Sequence, residues 1–396
     1  MTEFTVASFN VKNLIGPDQE YYRFQKYTPE EYAWKSQWLA DQLRSMDADI
    51  VCFQEIFEEQ ALRDVIVQAD ADGAEANETS VPDKSKRYWR KAIFRKLAYR
   101  PYTGAALAVA PNINDGVPGQ RRPGVAILSR LGFVYEPEVI QQLSNPVEIE
   151  FGPMGAEGGG VFKLTRLSRP ILKVRVPVGD HVVTVFTCHL KSKLGEYVKP
   201  DGAPYPPEVD LTQYDPVARA LGGLRAAVRR MAEAYVLRRA IVAEIEAGHP
   251  VLVTGDFNDG EHAVSSEIIS GEVPFKNYTW MLRHDAQNPS DRYSRAEDTQ
   301  IREAMENVRL HSAEKQFVKK SARDMVYTAA FGGTYESIDQ IYMSRHFMAD
   351  APDSIGEMEY FSVLNDHLTD GSHPEAPYNK LASDHGQIIA HLRLRD

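Results

Sequence analysis

Short runs of β-branched and aromatic residues recur along the whole chain, and each predicts a strand. The clearest are Thr2–Val11, Asp49–Glu55, Gly124–Ser129, Phe133–Ile140, Val161–Val176 and His181–Leu190, followed by Pro250–Phe257, Ser337–Ser344, Glu357–Leu364 and Gly386–Leu394. Several are apolar on both alternations, as in Ile50-Val51-Cys52-Phe53 and Val182-Val183 with Val185-Phe186. Such strands are covered on both faces. Helical periodicity is interleaved with them. Tyr32, Leu39, Leu43 and Met46 share a face behind Thr28-Pro29, a cap followed by a first-turn proline. The longest pattern runs from Val217 through Leu224, Met231 and Val242 to Ile245, behind Asp215-Pro216. Gly222-Gly223 weakens its first turns, so the helix is expected to begin near Leu224, with the arginines between Arg225 and Arg239 on a solvated face. Stretches rich in Gly, Pro and charge read as loops at Asp70–Lys86, Ala110–Pro123, Gly152–Gly160, Leu194–Pro216 and His367–Asn379. No repeat or long linker divides the chain. Strands and covering helices in alternation predict a layered α/β sandwich formed by one domain over 1–396.

Composition narrows the class. A hydrophobic fraction of 43% with 26% charged residues suits a globular enzyme, and no apolar run reaches the length of a membrane span. The start, MTEFTVASFN, has no basic-then-apolar pattern of a signal peptide, and two cysteines inside apolar runs read as buried thiols, so a cytoplasmic setting is expected. The formal net charge is −11, which opposes tight, non-specific binding of a long polyanion and leans toward small or single-stranded substrates.

Six segments share one feature that changes the picture: an apolar strand ends in a polar residue able to bind a metal. They are ASFNVKNL at Asn10, DIVCFQEI at Glu55, VVTVFTCHLKS at His189, PVLVTGDFND at Asp256 and Asn258, SIDQIYMS at Asp339, and LASDHGQII at Asp384 and His385. Strand ends are where rigid backbone delivers side chains to a common mouth. Taken singly, each has an ordinary explanation: Asn10 as a turn former, Glu55 as a helix cap, His189 as a hydrogen-bonded core histidine. Together and in order they point to phosphoryl chemistry. Carboxylates and amide oxygens are hard ligands that suit Mg²⁺ or Mn²⁺, with Ca²⁺ as a further candidate, and an Asp or His can orient or deprotonate an attacking water. Neither a zinc-spaced Cys/His cluster nor a Walker loop is present. Arg122, in the Arg121-Arg122 pair before the GVAILS strand, and Lys191, just past His189, are candidates to bind phosphate.

As an ordered set, Asn10, Gln54-Glu55, His189, Gly255-Asp256-Phe257-Asn258, Asp339 and Ser383-Asp384-His385 resemble the endonuclease/exonuclease/phosphatase superfamily, which includes pancreatic deoxyribonuclease, AP endonucleases, sphingomyelinases and inositol phosphatases. The resemblance implies a four-layer α/β/β/α sandwich of two mostly antiparallel sheets, with the site at one edge. It implies that Glu55 and Asn10 bind the metal with help from Asp384, and that Asp256 and Asn258 orient water or bind a second ion. His385, its tautomer fixed by Asp339, would contact phosphate or transfer a proton; His189 would stabilise phosphate charge or help protonate the leaving oxygen.

Departures from the family patterns narrow the substrate. Lys12 stands where AP endonucleases carry Asp, and His189 where they carry Tyr, which moves the expectation away from abasic-site repair. Asp259-Gly260 replaces the aromatic-Arg pair of inositol phosphatases, and no acidic partner for His189 is evident near Lys91–Arg100. Extra length near 57–100, 194–216 and 285–335 is expected to shape access to the site. The expected activity is nuclease-like hydrolysis of a phosphodiester, on nucleic acid or a nucleotide. The same chemistry on a phospholipid or small organic phosphate is the alternative, and a non-catalytic binding module a lesser one.

Overall fold

Alternation along β1 (Glu3–Leu14) decides what faces what. Phe4 and Val6 enter one buried cluster, whereas Ala7, Phe9 and Val11 enter another on the opposite face. The same division runs through the chain in a computed structural model, which describes residues 2–22, 25–79, 98–112, 121–151, 160–195, 215–273, 292–320, 326–370 and 381–395.

Two six-stranded sheets result. The first has the order β13 (Gly356–Leu364), β14 (Gln387–Leu394), β1, β2 (Ile50–Ile56), β4 (Gly124–Ser129), β3 (Ala106–Ala110). The second has β5 (Glu138–Phe151), β6 (Gly160–Val178), β7 (His181–His189), β8 (Val251–Asp256), β12 (Asp339–Ser344), β9 (Leu310–Ser312). A hairpin of β10 (Ala329–Phe331) and β11 (Thr334–Glu336) leads into β12. Pairing is antiparallel except for one parallel pair near the middle of each sheet, β1 with β2 and β7 with β8.

The apolar residues stack these sheets. Val6, Ile50, Cys52 and Ile127 of the first meet Val174, Val185, Leu252 and Ile341 of the second in one inner core. The outer face of the first, with Phe9, Val51 and Phe53, is covered by Leu39 and Leu43 of α1 (Pro29–Met46) and Leu62 and Val65 of α2 (Glu59–Thr79). The outer face of the second, with Phe186, Val251 and Val253, is covered by Leu237 and Ile241 of α3 (Pro216–Glu246) and Ile269 of α4 (Val264–Ser270). Each buried Leu or Ile contributes roughly 1.5–3 kcal/mol. The architecture is therefore the expected α/β/β/α sandwich, with mostly antiparallel sheets.

Local signals account for several boundaries. Thr28 caps α1 in a full capping box with Glu31, and Asp215 caps α3. Helix α3 starts at Pro216 rather than near Leu224, so the glycine pair sits inside the helix. The pair has a packing role: a Cβ on Gly195 would lie 3.0 Å from the Gly222 carbonyl carbon, so chain and helix touch backbone to backbone there. The α3 arginines are not all solvated, since Arg230 is buried. Asp70–Thr79 is helix rather than loop, because Val65, Ala69 and their neighbours on α2 bury against the first sheet. The region near 285–335 contains α5 (Arg295–Val308), β9, α6 (Ala313–Lys320) and the hairpin. The rest of the expected extra length, at 80–97, 196–214, 285–291 and 321–325, lies outside the described residues. Among the described residues, no helix is long and apolar enough to cross a membrane.

Candidate active site

The inward series along each central strand begins apolar and ends polar. On β7 it passes from Val183 and Val185 through Thr187 to His189; on β8, from Leu252 through Thr254 to Asp256. Strand register then sets a row across the second sheet, with His189 opposite Asp256 and Asp256 opposite Asp339. Facing it, β1 ends its inward series at Asn10, which is in register with Gln54. Glu55 breaks the alternation. By period two it belongs on the outer face, but its φ of 66° and a register shift between Gln54 and Ile56 turn it inward. One layer deeper, Ser8 donates to Gln54 Oε1 at 3.3 Å and Gln54 Nε2 donates to Thr187 Oγ1 at 3.0 Å, which ties the two sheets beneath the cluster.

These strand ends converge. Asn10 Nδ2 donates to Asp256 Oδ2 at 3.0 Å and to Glu55 Oε1 at 3.3 Å, and lies 3.4 Å from His385 Nε2. The orientation of its amide follows from the Lys12 N–H, which donates to Oδ1 at 3.0 Å. Asp256 Oδ2 is 3.3 Å from His189 Nε2 and 3.8 Å from His385 Nε2, and His385 Nδ1 is 2.8 Å from Asp339 Oδ2. Asn13 N–H donates to Glu55 Oε2 at 2.9 Å. Four of the six non-glycine residues with left-handed φ among the described residues (Lys12, Asn13, Glu55 and Asn258) cluster here, so backbone strain concentrates where the polar groups meet.

Burial governs the protonation states. It pushes the Asp256 carboxyl above the usual carboxylate range, and the nearby Asp339 and Glu55 add to this against the opposing His385 charge. It holds His189 well below the ordinary histidine value, with Arg169, His385 and Lys191 adding to the effect. Burial also works against charge on His385, but Asp339 and Asp256, with Asp384 beyond, outweigh it and hold that imidazole well above the usual value. The result is one neutral and one cationic histidine on either side of Asp256.

Of the remaining sequence candidates, Asn258 and Asp384 border this cluster, and Lys191 is close enough for its charge to act on His189. Asn258 N–H donates to Asp256 Oδ1 at 2.7 Å, and its side-chain amide donates to the Leu190 carbonyl at 3.0 Å. Asp384 is half exposed, 3.6 Å from Lys12 Nζ, and acts on His385 as a nearby charge rather than by a hydrogen bond. Lys191 Nζ reaches the Leu194 carbonyl at 2.9 Å, and the exposed Arg122 sits against the Arg121 carbonyl. Asp366-His367 repeats the Asp-His order of Asp384-His385 but lies in a turn, where His367 Nε2 meets the His385 carbonyl at 3.0 Å.

Sequence patterns gave no sign of three other groups. Lys35 on α1 has no exposed surface, yet its ammonium donates to the Val11 and Leu381 carbonyls at 3.0 and 3.1 Å, joining the segments that carry Asn10 and Ser383. Burial, then the charge of Lys12, lowers its pKa to about 7. Arg169, inside β6 where its pairing with β5 shifts register, donates to the Leu190 carbonyl at 3.1 Å, and its Nε is buried without a hydrogen-bond partner. Half-buried Tyr22 feels the charges of Glu55, Arg169 and Arg122, and so lies along the same wall. Only an unusual charge in an apolar helical stripe, Lys35 among Tyr32, Leu39 and Leu43, could have signalled any of them.

The donor set fits a hard divalent cation. Three largely buried carboxylates (Glu55, Asp256 and Asp339) are gathered here, and a cation would offset their repulsion. Asp339 Oδ1 and His189 Nδ1 are buried without hydrogen-bond partners. Asp256, Asp339 and His385 each bring a ligand atom within 4.8 Å of the others.

The sequence profile of the Endonuclease/Exonuclease/phosphatase family matches residues 7–385. No curated protein matches the chain by sequence. Similar solved structures include an endonuclease/exonuclease/phosphatase from Bacteroides vulgatus, 14% identical over 100% of each chain with a TM-score of 0.47. A truncated TDP2 from Caenorhabditis elegans is 13% identical over 98% of this chain and 97% of that one, at 0.45. A mannosyl-6-phosphatase from Bacteroides thetaiotaomicron is 13% identical over 99% and 100%, also at 0.45.

Proposed function

From the premise that the chain belongs to the endonuclease/exonuclease/phosphatase family, we propose that it is a divalent-metal-dependent phosphodiester hydrolase of nuclease-like type. The observation that carries this reading is the meeting of Asn10, Glu55, His189, Asp256, Asp339 and His385, from six separate segments, each within hydrogen-bonding range of at least one other. Glu55 would hold the cation together with Asn10, whose amide would have to turn so that Oδ1, rather than the Nδ2 that now faces the carboxylates, meets the ion. Among the described residues Glu55 Oε1 meets only the long contact from the Asn10 amide and His189 at 4.0 Å, whereas Asp339 and His385 are committed to each other at 2.8 Å. Asp384 would add charge from the rim. Bound Mg²⁺ or Mn²⁺, or Ca²⁺, supplies charge neutralisation and polarisation of the phosphorus centre.

The chain's own groups divide the remaining work. Asp256, with Asn258 locked beside it, orients the attacking water and takes up its proton. His385, kept cationic by Asp339, binds the phosphate or donates a proton, and neutral His189 steadies the departing oxygen. Arg122, Lys191 and Arg169 supply positive charge around the site. The net charge of −11 supports a small or single-stranded diester over long duplex, and two free buried thiols support a cytoplasmic setting.

The test is turnover of bis(4-nitrophenyl) phosphate beside plasmid DNA, a phospholipid and a phosphomonoester, with Mg²⁺, Mn²⁺ or Ca²⁺ and with EDTA. Metal-dependent cleavage of the chromogenic diester is the expected result. Cleavage of the monoester or lipid alone would move the substrate class, and inactivity toward all four would remove the enzyme reading.

A further inference from the structure

Helix α3 carries two charged residues that belong in water by type but are almost completely covered: Arg230 is 8% exposed and Glu233 2%. Both face the same place. Glu233 accepts the Ser168 N–H on Oε1 at 2.7 Å and the Lys191 N–H on Oε2 at 2.9 Å, so each carboxylate oxygen fixes a different chain segment. Arg230 donates from Nη1 to the Lys191 carbonyl at 3.1 Å and from Nε to Asp259 Oδ2 at 2.6 Å. The backbone of Lys191, two residues beyond His189, is thereby gripped on both its N–H and its C=O by one helix.

Asp259 extends the frame. Its Oδ2 also accepts from Ser265 Oγ at 2.5 Å, and its backbone carbonyl accepts from Gln340 Nε2 at 2.8 Å. Asp259 follows Asn258, and Gln340 follows Asp339. Ser168 precedes Arg169, and the Leu190 carbonyl between His189 and Lys191 receives both Asn258 Nδ2 and Arg169 Nη1. Every second-sheet residue of the cluster except Asp256 thus has a chain neighbour bonded into this one buried network.

We infer that Arg230, Glu233 and Asp259 are positioning residues: a buried ionic frame through which α3 fixes His189, Asn258 and Arg169 against Asp256. The inference rests on the phosphoesterase reading for what the positioning serves. Burying such groups is costly unless every one is paired, and replacing them by apolar residues is often neutral for stability. The frame's value is then expected in geometry, where loss of an outer hydrogen bond typically lowers activity about 10–100-fold.

Glu233→Gln and Arg230→Lys are the informative variants. Glutamine turns one acceptor into a donor facing an N–H. Lysine keeps the charge beside Asp259 but loses the rigid fork to the Lys191 carbonyl. On protein shown to be folded by circular dichroism, kcat for bis(4-nitrophenyl) phosphate should fall about 10-fold or more in Glu233→Gln with KM little changed, and less in Arg230→Lys. A merely structural role would lower the folded fraction and leave kcat of the folded protein alone; a kcat within about 2-fold of wild type in both variants overturns the inference. The His189 imidazole resonances provide a readout that needs no turnover. They should shift in Glu233→Gln while those of remote His346 stay in place, and unchanged His189 resonances overturn the frame even if the wild type is inactive. Wild-type inactivity alone would count against the phosphoesterase reading, not against the frame.

Discussion

Gly255, one residue before Asp256, shows how the site constrains single positions. Its φ is 142°, and a Cβ there would lie 2.1 Å from the Cys188 carbonyl oxygen on the paired strand. The GDFN turn therefore begins with glycine for a steric reason. Gly255→Ala is expected to destabilise the protein by more than about 2 kcal/mol, read as a Tm drop of several degrees; an unchanged Tm would show that the strands can part there at no cost. Asp339 acts differently. Its Oδ2 holds His385 Nδ1 at 2.8 Å and raises that imidazole's proton affinity. Asp339→Asn should lower kcat for a chromogenic diester by roughly 10²–10⁴-fold with the fold intact by circular dichroism, and near-wild-type kcat would refute the assigned role. Asn10, His189, Asp256 and Asp339 were legible in the sequence because each stands near an end of a strand whose inward positions repeat with period two, and His385 because it comes just before one. Glu55 was legible as a strand-end acid, but not its aim, which depends on a left-handed φ that no pattern announces. Arg230 and Glu233 were illegible because what buries them, Ser168, Lys191 and Asp259, is chain distant in sequence; Lys35 showed only as a charge in an apolar stripe, since its partner Leu381 is equally distant.

Among the elements, α3 does more than cover a sheet. Near its C-terminus Glu244 accepts from Lys173 and Arg175 on β6 and from Thr184 on β7. Burial opposes this carboxylate's charge, but the bonds from Lys173 and Arg175 outweigh it and lower the pKa to about 2. Because the folded value lies below the unfolded one, the stabilisation is fully present above the unfolded pKa and is lost as pH falls toward the folded one. Wild type should therefore exceed Glu244→Gln in stability at pH 7 by on the order of 1–2 kcal/mol, after allowance for screening by nearby water, and the gap should close between about pH 4.5 and 2. Urea midpoints of both proteins at pH 7, 5 and 3.5 check this; a gap independent of pH would remove the ionic explanation. At this scale the caps at Thr28 and Asp215 were readable, since Ser/Thr/Asp before proline is a local signal. The start of α3 was not, because Gly222-Gly223 is retained for a backbone contact with Gly195 that only the fold creates. Helix α2 was partly read as loop for a related reason: its helicity is sustained by packing on the first sheet rather than by strong local signals.

For the whole molecule, we propose that the chain folds as one unit, because the inner core draws on strands of both sheets from Phe4 to Leu394. The polar cluster is the end of that same inner layer. Hydrophobic packing holds the sheets face to face, and the price is an edge where Asn10, Glu55, His189, Asp256, Asp339 and His385 crowd together with more negative charge than the one cationic histidine offsets. The layered fold was legible because two-sided apolar strands demand cover on both faces, whereas the electrostatic imbalance needed distances. The direct test is a crystal soaked with Mn²⁺ and phosphate and measured at the manganese absorption edge. An anomalous peak within coordination distance of Glu55, with phosphate bound beside it and next to His385, is the predicted result. Ordered manganese found only elsewhere, with no ion among Glu55, Asn10 and Asp256, would contradict it.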